Sequence, residues 1–347
     1  MTGYYTTSYP NVNRTIGIDF PYFNSFILMN CLEIWANMRI FLLPVALASW
    51  TVATPVSCNA TVDNWLYTGE MNDKTLALLH RPDIAGVQAL YNWKSLEPRK
   101  DEYDFSRIVD DLNIVQAKGK QFWVQLQDRT FSIEYNPVPK YLHAPIVPVC
   151  GGEDCEDNCQ AGGWLTVHWN EHVRARFQAL LKAMAGELDG RIYGINMAEM
   201  SVEPETGKNN FTCQGYFDGE LENADYAASV FHKSYVVQYV IFWPCGWANA
   251  NNYLSKSFNY YSQHGVGVGG PDLIPYRKGQ EGNSYPFLSE YHSRVPISVI
   301  AVQEPDLAAI NPNPSKPFTK QEFTDFAINK LGSQLIFWGE SSPWLSW

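Results

Sequence analysis

The sequence is short of charge, and shortest of positive charge. Only 18% of its 347 residues are charged, and 36 acids outnumber 25 bases for a formal net charge of −11. With no basic cluster either, the phosphate-neutralising surface that nucleic acid requires is missing. The apolar share of 46% is enough to fill a large core and too high for a disordered chain. No Gly-x-Gly-x-x-Gly or Walker sequence follows the first candidate strand, which removes the main reason to expect an open nucleotide-binding sheet. There is no Gly-x-Ser-x-Gly elbow and no His/Cys cluster with a common metal-ligand spacing. Long apolar runs are lacking too. The one pronounced apolar segment, 38–57, is broken by Pro44 and is too short for a stable membrane span.

That segment reads instead as an export signal. Met38 resembles a start, Arg39 supplies one positive charge, and about a dozen apolar residues give way to small ones, with cleavage after Ala48 or Ala53. Residues 1–37 show no periodicity or caps and are expected to be a non-native or disordered extension. The remainder, 58–347, is expected to be a single domain, exported and monomeric; in a bacterial host it would be periplasmic or lipid-anchored through Cys58. Six of the seven cysteines (Cys58, Cys150, Cys155, Cys159, Cys213 and Cys245) follow the signal, an even number that fits disulfides whose pairing the sequence leaves open. The spacing of Cys150, Cys155 and Cys159, with Glu153, Asp154, Glu156 and Asp157 between them, fits a cross-linked surface loop better than a zinc site.

Beyond residue 62 short apolar runs alternate with helical stretches, the pattern of a parallel sheet with crossover helices. Candidate strands cover 65–68, 86–91, 121–126, 192–197, 236–243, 265–268, 298–302 and 334–338. Helices are expected over 104–118, 171–188, 247–264 and 319–331, the last opening with the capping-box sequence Thr319-Lys-Gln-Glu322. Eight strands favour a closed (β/α)8 TIM barrel over an open sheet. The last covering helix would be short or missing, because the eighth strand ends near residue 338.

Active sites of such barrels form at the C-terminal strand ends. Reading those ends in order gives Glu70, Trp93, Gln125 and Gln127, then Asn196 and Glu199, Trp243, Asp272, Gln303 and Glu304, and Trp338. Acids and amides hydrogen-bond hydroxyl groups, and indole faces pack on the C–H face of a pyranose, so this set points to a sugar. The chain is rich in such rings, with 12 Trp, 20 Tyr and 18 Phe, although most aromatic residues serve as core. Trp93, Gln127, Trp243, Asp272, Gln303, Asn196 and Trp338 are therefore the candidate substrate-binding residues. His168 and His172 flank a helix start and fit a local role, and Trp164 fits packing better than a subsite wall.

The stretch Gly86-Val-Gln-Ala-Leu-Tyr-Asn-Trp-Lys-Ser-Leu-Glu-Pro98, followed by Tyr103-Asp-Phe-Ser106, resembles the second-strand region of the retaining clan A glycoside hydrolases, both cellulase-like and β-galactosidase-like. The resemblance spans roughly 65–340. It implies an acid/base glutamate ending strand four and a nucleophilic glutamate ending strand seven, where this sequence has Ile195-Asn-Met-Ala-Glu199 and Ile300-Ala-Val-Gln-Glu304. The clan usually sets Asn directly before the acid/base, whereas Asn196 lies three residues ahead of Glu199, and Glu203 is the alternative acid. Two carboxyls about 5 Å apart would retain anomeric configuration, and roughly 6.5–9.5 Å would invert it. Neither route needs a metal or cofactor. The expected activity is cleavage of β-glycosidic bonds in an oligo- or polysaccharide. The rival is a secreted barrel that binds carbohydrate without cleaving it.

Overall fold

In a computed structural model the described residues are 62–142, 146–150, 161–202, 204, 208–303 and 317–345. The expected export segment, Glu203 and Glu304 lie outside them, as do Cys58, Cys155 and Cys159. The strands are β1 (Asp63–Thr68), β2 (Gly86–Asn92), β3 (Gln121–Gln127), β4 (Ile146–Cys150), β5 (Ala161–Thr166), β6 (Gly194–Met197), β7 (Tyr235–Tyr239), β8 (Gly267–Gly270), β9 (Ser298–Val302) and β10 (Leu335–Gly339). Eight of them close a parallel barrel in the order β1-β10-β9-β8-β7-β6-β3-β2. The seam is sealed by β1 against β10, in register from Asp63 opposite Leu335 to Tyr67 opposite Gly339. All eight expected barrel strands are present. The antiparallel pair β4–β5, inserted after β3, was not expected from the sequence.

The helices are α1 (Asp73–Leu78), α2 (Trp93–Leu96), α3 (Ser106–Ala117), α4 (Glu171–Leu188), α5 (Cys213–Val230), α6 (Tyr253–His264), α7 (Lys278–Glu281), α8 (Ser284–Tyr291) and α9 (Lys320–Asp325). Along α4, Val173, Phe177, Leu180, Leu181 and Met184 recur at helical spacing and are buried against the sheet. The Asn170 side chain caps it by accepting from the N–H groups of His172 and Val173, a contribution of about 1 kcal/mol. The expected capping box forms between Thr319 and Glu322, and α9 then continues as a π-helical turn over Phe326–Leu331. One expected helix begins late. Ala248, Asn249, Asn251 and Asn252 all have positive φ, so 247–252 is an irregular turn and α6 starts at Tyr253. Asparagine tolerates the left-handed region better than other residues with a side chain, and this Asn-rich stretch therefore breaks the helix. After β10 the described chain forms only a 3-10 turn, Pro343–Leu345.

The N-terminal half of the barrel interior is a plug of rings. Trp65, Trp123 and Phe337 meet edge-on at centroid distances of 5.3–6.3 Å. Two glycines admit the indoles: a Cβ on Gly86 or on Gly194 would lie 2.5 Å from the ring of Trp65 or of Trp123. Above the rings sits a buried polar layer, in which Asn196 Oδ1 accepts from Gln88 Nε2 (2.8 Å) and Trp123 Nε1 (2.9 Å). Gln88 Nε2 also donates to the Tyr239 hydroxyl (2.8 Å). Only the C-terminal mouth is left for chemistry. Cys213, at the start of α5, forms a disulfide with Cys245 in the loop after β7. Closing this loop of about 30 residues stabilises the fold by roughly 3–4 kcal/mol on the chain-entropy account.

Candidate active site

Glu199 stands two residues beyond β6, the fourth barrel strand, at the mouth. Its carboxyl is pushed up from 4.5 to about 8, first by burial and then by the negative charge of Asp272; a hydrogen bond from Ser201 and the cations Arg129 and Arg277 offset part of this. At neutral pH the group is therefore mostly protonated, ready to give a proton rather than take one. Asp272 follows β8 and pairs through its backbone with Val302, the last residue of β9, so the sixth and seventh strand ends are brought side by side. Arg277 approaches Asp272 at 3.9 Å. Tyr67, on the inner face of β1, has its hydroxyl pushed up to about 12 by burial and by Asp272. The charge of Asp272 thus raises both Glu199 and Tyr67.

The expected partner charge was that of Glu304. Among the described residues it is burial and Asp272 that raise Glu199. Gln303 is half-buried at the end of β9. Gln125 and Gln127 both share the inner face of β3 with Trp123, since strand residues alternate between faces. Gln127 Nε2 donates to the Arg129 carbonyl (2.6 Å), and Gln125 Nε2 to Gln127 Oε1 (3.4 Å).

Four expected sugar contacts are corrected. Trp93, Trp243 and Trp338 are fully buried between sheet and helices, so none offers a face to a ligand. Trp93 packs on Phe177 (5.2 Å) and donates to Glu97 Oε2 (2.8 Å). Glu97 in turn receives Arg176, making the Leu-Glu-Pro motif a structural bracket. Trp243 packs on Phe217 (4.6 Å) and donates to Ser257 Oγ (3.0 Å). Trp338 packs on Trp344 (5.1 Å) and donates to Asn64 Oδ1 (2.9 Å). Its neighbour Phe337 takes the inward position on β10, and strand alternation then turns Trp338 outward. Asn196 does face inward, but lies in the buried layer beneath the mouth with its oxygen already doubly engaged. Glu70 forms an exposed ion pair with Arg107 (2.7 Å).

The sequence reading missed a buried ionic network behind Glu199. Arg129 is 1% exposed and lies between Asp128 (Nε–Oδ1, 3.0 Å) and Glu220 (Nη2–Oε1, 2.9 Å). Its Nη1 donates to the Tyr216 hydroxyl (2.6 Å), and His168 Nε2 joins Asp128 from the other side. Burial alone would raise the Asp128 carboxyl, yet Arg129 and His168 hold it well below the ordinary range. The signal was present: Asp128-Arg129 directly follows an apolar strand. Its partners lie 40 and more residues away.

No model of a known protein family matches the sequence, and no curated protein matches it. The fold does match. The chain shares its closed (β/α)8 barrel with solved structures. Endo-glycoceramidase II from a Rhodococcus species, complexed with a five-membered iminocyclitol, aligns with a TM-score of 0.51 at 13% identity, over 81% of this chain and 73% of that one. A polyextremophilic β-galactosidase from the Antarctic haloarchaeon Halorubrum lacusprofundi aligns with a TM-score of 0.52 at 9% identity, over 80% of this chain and 52% of that one. Identities this low establish the fold alone.

Proposed function

We propose that the protein is a retaining glycoside hydrolase that cleaves β-glycosidic bonds of an oligo- or polysaccharide, with Glu199 as acid/base and Glu304 as nucleophile. The observation that carries this reading is the carboxyl of Glu199 at the end of the fourth barrel strand, raised to about 8 by burial and Asp272. Glu304 attacks the anomeric carbon, and the bond to the glycosidic oxygen breaks as Glu199 gives that oxygen its proton. Glu199, now a carboxylate, takes a proton from the entering water as its oxygen bonds to the anomeric carbon and the ester bond to Glu304 breaks, so the sugar leaves with its configuration retained. Gln127, Asp272 and Gln303 are the described side chains of the original set available for sugar hydroxyls. The export segment 38–57 makes the enzyme extracellular, acting on soluble or cell-wall glycan.

A panel of polysaccharides and aryl β-glycosides, with product sizing, tests this. Glu304→Gln abolishes turnover. Glu199→Gln lowers kcat/KM by about 10²–10⁴ on substrates with poor leaving groups and by less on activated aryl glycosides. A Glu304→Gln variant as active as wild type removes the nucleophile assignment. Glycan binding without cleavage by the wild type converts the protein into a binding barrel.

A further inference from the structure

Single exposed apolar side chains are ordinary on a protein surface, but their distribution here is uneven. Of the seven large ones among the described residues, five stand on loops that leave the C-terminal ends of barrel strands: Phe131, Ile133 and Tyr135 after β3, Trp247 after β7 and Tyr276 after β8. The three after β3 are 59%, 54% and 42% exposed. Their loop is not slack. Thr130 and Trp164 exchange both backbone hydrogen bonds (2.9 Å each), which ties the loop to β5, and a Cβ on Gly163 would run into the Thr130 carbonyl oxygen. The Ser132 carbonyl accepts from Thr130 Oγ1 (2.8 Å) and the Ile133 carbonyl from Trp164 Nε1 (3.0 Å). The carbonyls of Asn136 and Pro137 accept from Lys94, through Nζ (3.2 Å) and the backbone N–H (2.7 Å). The backbone is pinned while the apolar side chains stay in water, the arrangement of a preformed interaction surface.

We propose that Phe131, Ile133 and Tyr135 form a ledge that seats the sugar units of a neutral polysaccharide beyond the bond being cleaved. This inference rests on the reading of the mouth as a glycan-cleaving site, and it makes a polymer the substrate. Topology places the ledge. β3 pairs with β6 in the barrel wall, so the loop after β3 borders the turn that carries Glu199. Its two rings offer apolar faces to the C–H face of a pyranose, and Ile133 adds apolar area between them in sequence. Because the backbone is already fixed, binding has little more than these side chains to order. Charge selects as well. Residues 130–137 carry Glu134 and no Lys or Arg, in a chain of net charge −11, which disfavours an anionic glycan or an anionic lipid surface. Lys94, the cation at the edge of the loop, is already held over the Tyr135 ring (5.5 Å) and by the Asn136 carbonyl.

The test is affinity gel electrophoresis of the full chain through soluble mixed-linkage β-glucan, xylan, galactomannan and polygalacturonate. It is run beside kcat/KM on the retarding polymer and on an aryl β-glycoside. At least one neutral polymer retards the wild type. The triple variant Phe131→Ser, Ile133→Ser, Tyr135→Ser binds that polymer about tenfold more weakly, and its kcat/KM falls further on the polymer than on the aryl glycoside. Phe131→Leu and Phe131→Trp separate ring stacking from general apolar adhesion, and give a reading if the triple variant does not fold. Leucine weakens retardation roughly threefold, whereas tryptophan keeps it. Equal retardation of wild type and triple variant, or leucine as good as tryptophan, overturns the proposal. So does retardation by polygalacturonate alone or by no polymer. Ledge-dependent co-sedimentation with phosphatidylglycerol vesicles, or a wild-type dimer that the triple variant lacks, assigns the surface to lipid or to a second copy and overturns it too. A wild type that binds glycan through the ledge and cleaves none sinks the hydrolase reading instead and leaves the ledge as a glycan-binding surface.

Discussion

Two carboxyls near the barrel mouth, Asp128 and Glu199, behave oppositely. Asp128 is enclosed with Arg129 and His168 and stays ionised, well below its usual range. Glu199 has another carboxylate, Asp272, as its strongest charged neighbour and is pushed up to about 8. Burial disfavours both anions; the difference lies in what else was buried with them. A carboxylate matched by a guanidinium and an imidazole is a fixed part of the frame. A carboxyl left beside a like charge holds its proton loosely enough to trade it at neutral pH. The mouth thus separates into an ion-paired frame around Asp128 and a pair of neighbouring carboxyls, Glu199 and Asp272.

The sharpest way to break this division is Arg129→Met. Removing the cation strands Asp128 and Glu220 without their shared partner, and the expected loss is about 3–5 kcal/mol in urea unfolding at neutral pH. A loss below about 1 kcal/mol would mean that the network is not structural. The Glu199 side makes the reverse forecast. Between about pH 4.5 and 8 the native state keeps a proton on Glu199 that the unfolded chain releases, so wild-type stability declines as pH rises through that window. Glu199→Gln cannot ionise and lacks this decline. Relative to wild type it gains about 2–4 kcal/mol on going from about pH 4.5 to about pH 9, read from paired unfolding curves. Parallel pH dependences in the two proteins would show that Glu199 titrates normally.

The Asp128 and Glu199 sides were unequally legible in the sequence, for a physical reason. The barrel came from local patterns: apolar runs such as Phe122–Leu126 and the helical stripe on α4 are short-range signals that burial enforces. Glu199 was singled out because a strand end is a position that sequence can mark, and it does lie two residues beyond β6. What position cannot give is facing. Trp338 ends its strand as expected, yet Phe337 beside it takes the interior, and two adjacent residues of a strand cannot both point inward. Applying alternation to that pair would have separated them. The cap residues of α6 were readable for a related reason, since Asn249, Asn251 and Asn252 state locally that the helix has not begun. The Arg129 network needed Asp128, His168 and Glu220 brought together from three separate elements, and nothing in their spacing announces it.

The smallest effect is the most specific probe of the Glu199–Asp272 pair. Asp272→Asn keeps the shape and removes the second cause of the Glu199 shift, while burial, the first, remains. Glu199 should fall from about 8 by about one pH unit without returning to 4.5, and the alkaline limb of kcat/KM should move down with it. The Tyr67 hydroxyl should fall from about 12 in the same variant, because it too is raised by Asp272 after burial. That second titration supplies the control: a change in the shape of the mouth would disturb the two groups unequally, whereas loss of one shared charge lowers both. Arg277→Gln must then act in the opposite sense on Glu199, because that cation lowers it. If Asp272→Asn leaves the Glu199 titration in place, burial alone raises the acid, and the contrast with Asp128 reduces to the direct ion pairing of Asp128 with Arg129 and His168.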